Sequence, residues 1–302
     1  MSHTNHGKIP EHLLLGDVLS SKSSHCIEEA QHLYVSFSDL VLENIAYHPQ
    51  IGLHLDALTE QEKIELSSIL NRRELTSSDV DEHFIQTLMS LIESAVKPSH
   101  QQIRVCLSDA DSHQYAALLG GHIEVQEVNP AIGLRGVARF ASLEHTHSFE
   151  LECQVVKQLR AKGLDIEIVV PFVRALSDAA TIIDRLAVQG LPRGLNGLKV
   201  WFCCDAPASV LLADRLLQYF DGMVVNTNNL TQLTIGADQD NATLGSLFNP
   251  ENEAVVLLIN QAVRTAQQVN KPCIVYCQKL AEYSRIQEVL LDQDGLQVLA
   301  GG

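Results

Sequence analysis

Most of the side chains in this 302-residue chain that could do chemistry lie in its middle and last thirds. Arg135 sits in Ile132-Gly133-Leu134-Arg135-Gly136, and Arg174 closes Pro171-Phe172-Val173-Arg174. A planar guanidinium can grip a phosphate or carboxylate through two parallel hydrogen bonds. Arg174 reads equally as such a ligand and as a salt bridge under the loops. The backbone amides around Thr227, Asn228 and Asn229 could cradle a small carboxylate. Tyr276 and Cys277 are neighbours in a strand-like run, so only one of them can point to a given face. Asp205 together with Tyr276 would suit acid and base roles. Other groups carry less. Cys203 and Cys204 diverge as strand neighbours and read as packing rather than a redox pair. His145-Thr146-His147 has no third ligand nearby in sequence and reads as a helix entry rather than a zinc site. His3, His6 and His12 have no fixed spacing and read as a solvated tail. Cys106, Asp205 and Cys277 would form a soft-metal site only by converging at one end of a fold.

The elements that must position these groups alternate between short apolar runs and amphipathic helices. Leu33-Tyr34-Val35 opens the first expected strand, and Thr59 with Glu62 forms a capping box before a helix through Leu70. A second helix from near Ser78 carries Phe84, Leu88, Leu91, Ala95 and Val96 on one face. Strands are expected from Ile103, Ile166, Leu198, Gly222 and Cys273. Helices are expected up to Gly163, after a Ser177 cap, and after Asn249-Pro250. Alternation at this spacing argues for a parallel α/β fold, though periodicity alone does not separate a closed barrel from an open sheet. Residues 1–32 are weakly periodic and are expected to form an N-terminal arm or linker before a domain over 33–302. Leu296 to Gly302 reads as an eighth strand with no helix after it. A missing outer helix would leave an apolar face for a second copy, for another protein or for the arm to cover.

Composition limits the partners. With 46% hydrophobic residues the chain can bury a large core. Lys and Arg number 21 against 37 Asp and Glu, a net charge of -16 that repels nucleic acid and anionic lipid. No apolar run approaches the roughly 20 residues that span a bilayer, and the first residues lack the basic end and apolar stretch of a secretory signal. A cytoplasmic location is therefore expected, with no nucleic-acid or membrane partner. Seven cysteines, odd in number and scattered, read as reduced thiols.

Four motifs occur in order: Asn-Pro-Ala-Ile-Gly-Leu-Arg-Gly-Val-Ala-Arg-Phe (129–140), Val-Val-Pro-Phe-Val-Arg (169–174), Cys-Asp-Ala-Pro-Ala-Ser (204–209) and Asn-Thr-Asn-Asn-Leu-Thr-Gln (226–232). Together they resemble the C-terminal barrel of phosphoenolpyruvate (PEP) synthase, in the PEP-utilising enzyme family, and more distantly pyruvate phosphate dikinase and enzyme I of the sugar phosphotransferase system. The resemblance implies an α/β fold of the (β/α)8 TIM-barrel type. It also implies a site that passes a phosphoryl group between a phosphohistidine and pyruvate, with arginines, magnesium and a proton donor around the substrate. Mapped residue by residue, Arg135 and Arg174 match family arginines, and Thr227 and Asn228 match the magnesium loop. Cys106 stands where the family has its second-strand arginine, Ser36 where it has its first-strand arginine, and Gln239 where an arginine follows the magnesium loop. The metal-binding glutamate is Asp205 and the aspartate is Asn229, which implies a weakened magnesium (Mg) site or none. The catalytic cysteine position falls on Tyr276 if Gln278 is the anchor, and on Cys277 after a slip of one residue. The family's phosphohistidine and nucleotide-binding domains have no room in this chain.

The reading that follows is a degenerate barrel, a small-carboxylate-binding or regulatory and assembly module, that forms a homo-oligomer or binds a partner protein. The alternative is the barrel subunit of a split phosphotransferase acting on pyruvate, PEP or a related oxo acid. A third reading is lyase or hydrolase chemistry at Asp205 and Tyr276.

Overall fold

Five-residue apolar runs set between amphipathic helices are too short to be helices themselves, and several are buried at every position, as parallel strands covered on both faces must be. In the computed structural model, which describes residues 14–19, 30–293 and 296–301, these runs close into a parallel barrel in chain order. Its strands are β1 (Leu14–Leu19), β2 (His32–Ser36), β3 (Gln102–Cys106), β4 (Ile166–Val170), β5 (Val200–Cys204), β6 (Gly222–Asn226), β7 (Cys273–Gln278) and β8 (Gln297–Gly301). β1 pairs with both β2 and β8 and so completes the ring. Alternation sorts the side chains. Tyr34, Cys106, Val169, Cys203, Val224, Ile274, Tyr276 and Leu299 fill the interior, while Val105, Ile168, Phe202, Val225, Val275 and Cys277 face the surrounding helices.

Local signals explain most of the helices. Thr59 caps Glu60–Leu70 with the expected reciprocal Glu62 bond, and Val80, Phe84, Leu88 and Ile92 bury one face of Ser77–Ala95. Thr146–Ala161 follows His145, which is the helix entry expected of that segment. Two caps differ from the sequence reading. Ser177 lies inside Leu176–Val188, where Asp178 accepts from the Ala175 amide, and Asn252 rather than Asn249 caps Glu253–Gln268. Among the described residues no helix is long and apolar enough to cross a membrane.

The segment before residue 33 needs correction, because it contributes β1 and is not only an arm. β1 gave no alternating signal for a physical reason. Its inward positions are Val18 and Gly16, and a Cβ at Gly16 would meet Leu299 Cδ2 at 2.7 Å and His32 Cδ2 at 2.8 Å, so only glycine fits there. Between them Asp17 bonds His100 Nε2 at 2.9 Å and pairs with Lys97. The strands that carry Ser36 and Cys106, expected as first and second, are therefore β2 and β3, and the later strands keep their numbers. His3, His6 and His12 lie outside the described residues.

A buried ion pair closes the N-terminal end of the barrel. Arg104 Nε lies 2.9 Å from Glu167 Oε2, and Lys199 Nζ lies 2.9 Å from Oε1. The guanidinium stacks 4.4 Å over the Trp201 ring and donates to Gln297 Oε1 at 3.4 Å. The geometry at Arg104 Nε is that of an ion contact rather than an aligned hydrogen bond. These contacts fill the barrel axis at the N-terminal ends of β3, β4 and β5. Arg104→Met should cost about 1 to 3 kcal/mol of unfolding free energy, since it leaves the buried Glu167 carboxylate with Lys199 as its one remaining ion partner, whereas Arg104→Met with Glu167→Leu should recover most of that loss in urea denaturation. Equal destabilisation by the single and double changes would refute the pairing.

Candidate functional site

The mouth of the barrel is shaped by two backbone constraints that meet at the end of β4. Gly136 has φ +52, and a Cβ there would lie 2.4 Å from the Pro171 carbonyl, so glycine allows the Arg135-Gly136 turn to rest against that strand end. Phe172 has φ +53, a strained conformation for an aromatic residue, and its amide donates to Asp205 Oδ2 at 2.8 Å. The Phe172 ring is a shared platform for Arg135 at 4.3 Å and Arg174 at 5.1 Å. Arg135 is buried and donates from Nε to the Asp109 carbonyl at 2.8 Å and from Nη1 to the Ala131 carbonyl at 3.3 Å. Arg174 donates to the Gly133 carbonyl at 3.4 Å, and its amide donates to Asp178 Oδ2 at 2.8 Å. Burial lowers its affinity for its proton, and the nearby Arg135 charge adds to that effect. Arg174 therefore stands behind Arg135.

Beside this platform two carboxylates share one amide. Asn229 Nδ2 donates to Asp205 Oδ1 at 2.8 Å and to Asp109 Oδ2 at 3.3 Å, and the Asn229 main-chain amide donates to Asn226 Oδ1 at 3.2 Å. Two acceptors at one nitrogen fix the orientation of the side-chain amide, because the reverse would set its oxygen against them. Asp205 is fully buried. Burial pushes its carboxyl above the ordinary carboxylate range and the Asp109 charge adds to the rise, while the bonds from Asn229 and Phe172 oppose it. Magnesium does not fit this arrangement. Both Asp205 oxygens accept from N–H donors, and the position facing the two carboxylates holds an NH2 group rather than a charged oxygen.

The interior wall of the mouth is aromatic and polar. Tyr34 and Tyr276 stack with ring centroids 5.4 Å apart, and Gln278 Nε2 donates to the Tyr276 hydroxyl at 3.0 Å while Gln278 Oε1 accepts from Asn228 at 3.0 Å. Burial raises the pKa of Tyr276, of Tyr34 and of the Cys106 thiol beside Tyr34, so all three stay protonated at neutral pH. A cavity of about 160 Å³ opens above them. Of the positions singled out in the sequence, Ser36, Cys106, Arg135, Asn228, Asn229, Gln239 and Tyr276 line it. Three carboxylates, Asp39, Asp109 and Asp240, line it against the single guanidinium of Arg135, counted among the described residues. Ser36 Oγ accepts from the Asp39 amide at 3.2 Å, and the Gln239 amide donates to Gln232 Oε1 at 3.0 Å.

Cys277 and Thr227 do not reach the mouth. Cys277 packs in the outer core, where burial pushes its thiol up to about 11, with Thr227 beside it. Tyr276 is the neighbour that faces inward, and Cys106, Asp205 and Cys277 do not converge. Among the described residues no group of three His, Cys, Asp or Glu side chains could hold a metal.

Sequence reasoning did not single out Asp109 or Tyr34, and it used Gln278 only as an anchor, although Asp109 lies three residues after Cys106. It also missed what holds the Arg135 segment in place. Glu124 is buried in a fork from Arg139, with both N···O distances 2.7 Å, and is bonded by His48 Nε2 at 2.8 Å and His145 Nε2 at 3.2 Å. Burial would raise the Glu124 carboxyl, but these partners hold it well below the usual range. A larger cleft of about 470 Å³ between Lys157, Arg160 and Leu191 lies at the opposite end of the barrel from these groups, and barrel chemistry is built at the C-terminal ends of strands.

Comparison with known proteins agrees with the geometry. Residues 63–300 match the family described as PEP-utilising enzyme, PEP-binding domain. The chain is 40% identical to the phosphoenolpyruvate synthase of Pseudomonas aeruginosa over 196 residues, which is 64% of this chain and 25% of that protein. It is 42% identical to the Escherichia coli phosphoenolpyruvate synthase over 174 residues, 57% of this chain and 22% of that protein. With the Neisseria meningitidis phosphoenolpyruvate synthase it shares 34% identity over 254 residues, 79% of this chain and 32% of that protein. The chain thus spans less than a third of the length of these relatives.

Glu152, buried on Thr146–Ala161, accepts from the Ser108 amide at 3.0 Å and so holds the loop that presents Asp109. Burial pushes its carboxyl up to about 7 from 4.5. The raised value means that the folded state binds the proton more tightly than the unfolded state. Its contribution is therefore fully present below about pH 4.5 and is lost as pH rises through 7, a decline of about 3 kcal/mol at most. Glu152→Gln should flatten the fall in stability between these pH values in denaturant titrations, and a fall that persists unchanged in the variant would assign it to other groups.

Proposed function

Because the chain belongs to the PEP-utilising enzymes, through the PEP-binding domain that its residues 63–300 match, we propose that it is a barrel of this type that has given up phosphoryl transfer and serves as a small-carboxylate-binding, regulatory or assembly module. The observation that carries this reading is the Asn229 amide bonded to both Asp205 and Asp109. In this reading an internal hydrogen bond does the work of a cation, and the site stands without magnesium. Two further features support it. Cys106 and Gln239 face the cavity as uncharged groups, and the remaining guanidinium, Arg135, is already turned to main-chain carbonyls and to Phe172. A phosphoryl group needs several cationic or metal partners in its transition state, and three carboxylates lining the same cavity oppose one. Arg135 with the Asn228 amide still suits a single carboxylate. In the assembly role the barrel forms a homo-oligomer or docks on a partner protein in the cytoplasm.

Calorimetry tests this directly. A hydrogen bond to a charged group contributes about 1.5 to 3 kcal/mol, so a mouth with one guanidinium should bind PEP ~10³-fold or more weakly than one with three. No PEP binding is expected at micromolar concentration with magnesium present. The double change Asn229→Asp, Cys106→Arg should raise affinity for magnesium with oxalate or with PEP. Tight PEP binding by the unaltered chain, or transfer of phosphate from a phosphohistidine protein to pyruvate, would overturn the reading and install the split phosphotransferase instead.

A further inference from the structure

We propose that the cavity at the barrel mouth takes a small α-amino acid as its zwitterion, with the ammonium group on the Asp109 and Asp240 side and the carboxylate against Arg135, Asn226 and Tyr276. The proposal deepens the reading of the mouth as a binding site without phosphoryl transfer, and rests on it.

On the donor side, Asn226 lines the cavity and is 9% exposed, and its Oδ1 accepts from the Asn229 amide while its NH2 has no acceptor among the described residues. Tyr276 is 8% exposed, and its hydroxyl accepts from Gln278, which leaves the phenolic proton to be donated. Arg135 spends Nε and Nη1 on two carbonyls and keeps Nη2. Three donors, all on residues more than nine-tenths buried, call for an anionic acceptor, since a buried donor left unmade is costly. On the acceptor side, Asp109 uses only Oδ2, on Asn229, and Asp240 stands exposed on the rim.

Neither pole alone explains the cavity. A bare anion would meet Asp109 and Asp240, while a bare cation would meet Arg135 and the Asn226 amide. A molecule with both charges on adjacent atoms satisfies the two sets together. Alanine and serine carry both charges with a small side chain and so represent the class.

The test is calorimetry of the whole chain, without metal, against L-alanine, L-serine, pyruvate and ethylamine. Pyruvate keeps the carboxylate without the ammonium, and ethylamine the reverse. L-alanine or L-serine should bind at least about tenfold more tightly than either single-charge probe. Asp109→Asn should weaken the amino acid about tenfold and leave pyruvate unchanged or improved. Asp240→Asn, on the exposed rim where folding is not at stake, should weaken the amino acid in the same direction by a smaller factor. Pyruvate binding as tightly as alanine, or no amino acid binding at millimolar concentration, would overturn the proposal and leave the loss of phosphoryl transfer standing. Tight PEP binding would strike at that earlier reading instead.

Discussion

The Asn229 side-chain amide stands between two carboxylates that arrive from opposite parts of the chain, Asp109 after β3 and Asp205 after β5. Like charges brought this close in a buried place would repel unless a proton, a cation or a pair of N–H donors lay between them. Here the N–H donors are supplied by the fold. Asp205 accepts one bond from Asn229 and another from the Phe172 amide, so the carboxylate is satisfied from within and the mouth needs no ion to be built.

Much else in the site follows from that satisfaction. The Phe172 amide can reach Asp205 only because Phe172 adopts φ +53, a conformation that costs on the order of 1–3 kcal/mol. A hydrogen bond to a charged acceptor returns a similar amount. The same backbone turn lifts the Phe172 ring beneath Arg135 and Arg174, and Gly136 permits the approach from the other side. Arg135 then fastens to the Asp109 carbonyl, while Glu152 holds the neighbouring Ser108 amide. The loops after β3, β4, β5 and β6 are thus tied to one another through side chains rather than through a bound group.

The motifs disclosed the closed barrel, but not every strand of it. The four motifs come together at one end because their glycines and prolines specify backbone approach, a requirement that leaves a mark in sequence. Gly136 and Pro171 touch for that reason. β1 was hidden because a strand whose inward positions are Gly16 and Val18, with Asp17 between them, carries no apolar alternation. The choice between Tyr276 and Cys277 was hidden for a different reason. Alternation says that the two face opposite ways but not which faces in, and only the β6–β7 register, with Asn226 beside Tyr276, supplies the phase. The Asn229 bridge could not be read at all, because its partner Asp109 lies 120 residues away and the bond depends on the closed ring.

That contrast separates the residues that shape the mouth from those that set its charge. The groups that set backbone shape at the mouth, Gly136, Pro171 and Phe172, are tied into the barrel by contacts whose loss would cost stability as well as activity. The groups that set its charge, such as Cys106 and Gln239, project into an open cavity where a neutral side chain is tolerated. Substitution is therefore easiest at the positions that decide what binds, and hardest at those that decide where it would bind. Asn229 belongs to both sets, since it faces the cavity and holds the carboxylates beneath it. An amide there is compatible with a stable site in the absence of a cation, whereas a third carboxylate at the same place would bring back the repulsion that the amide relieves.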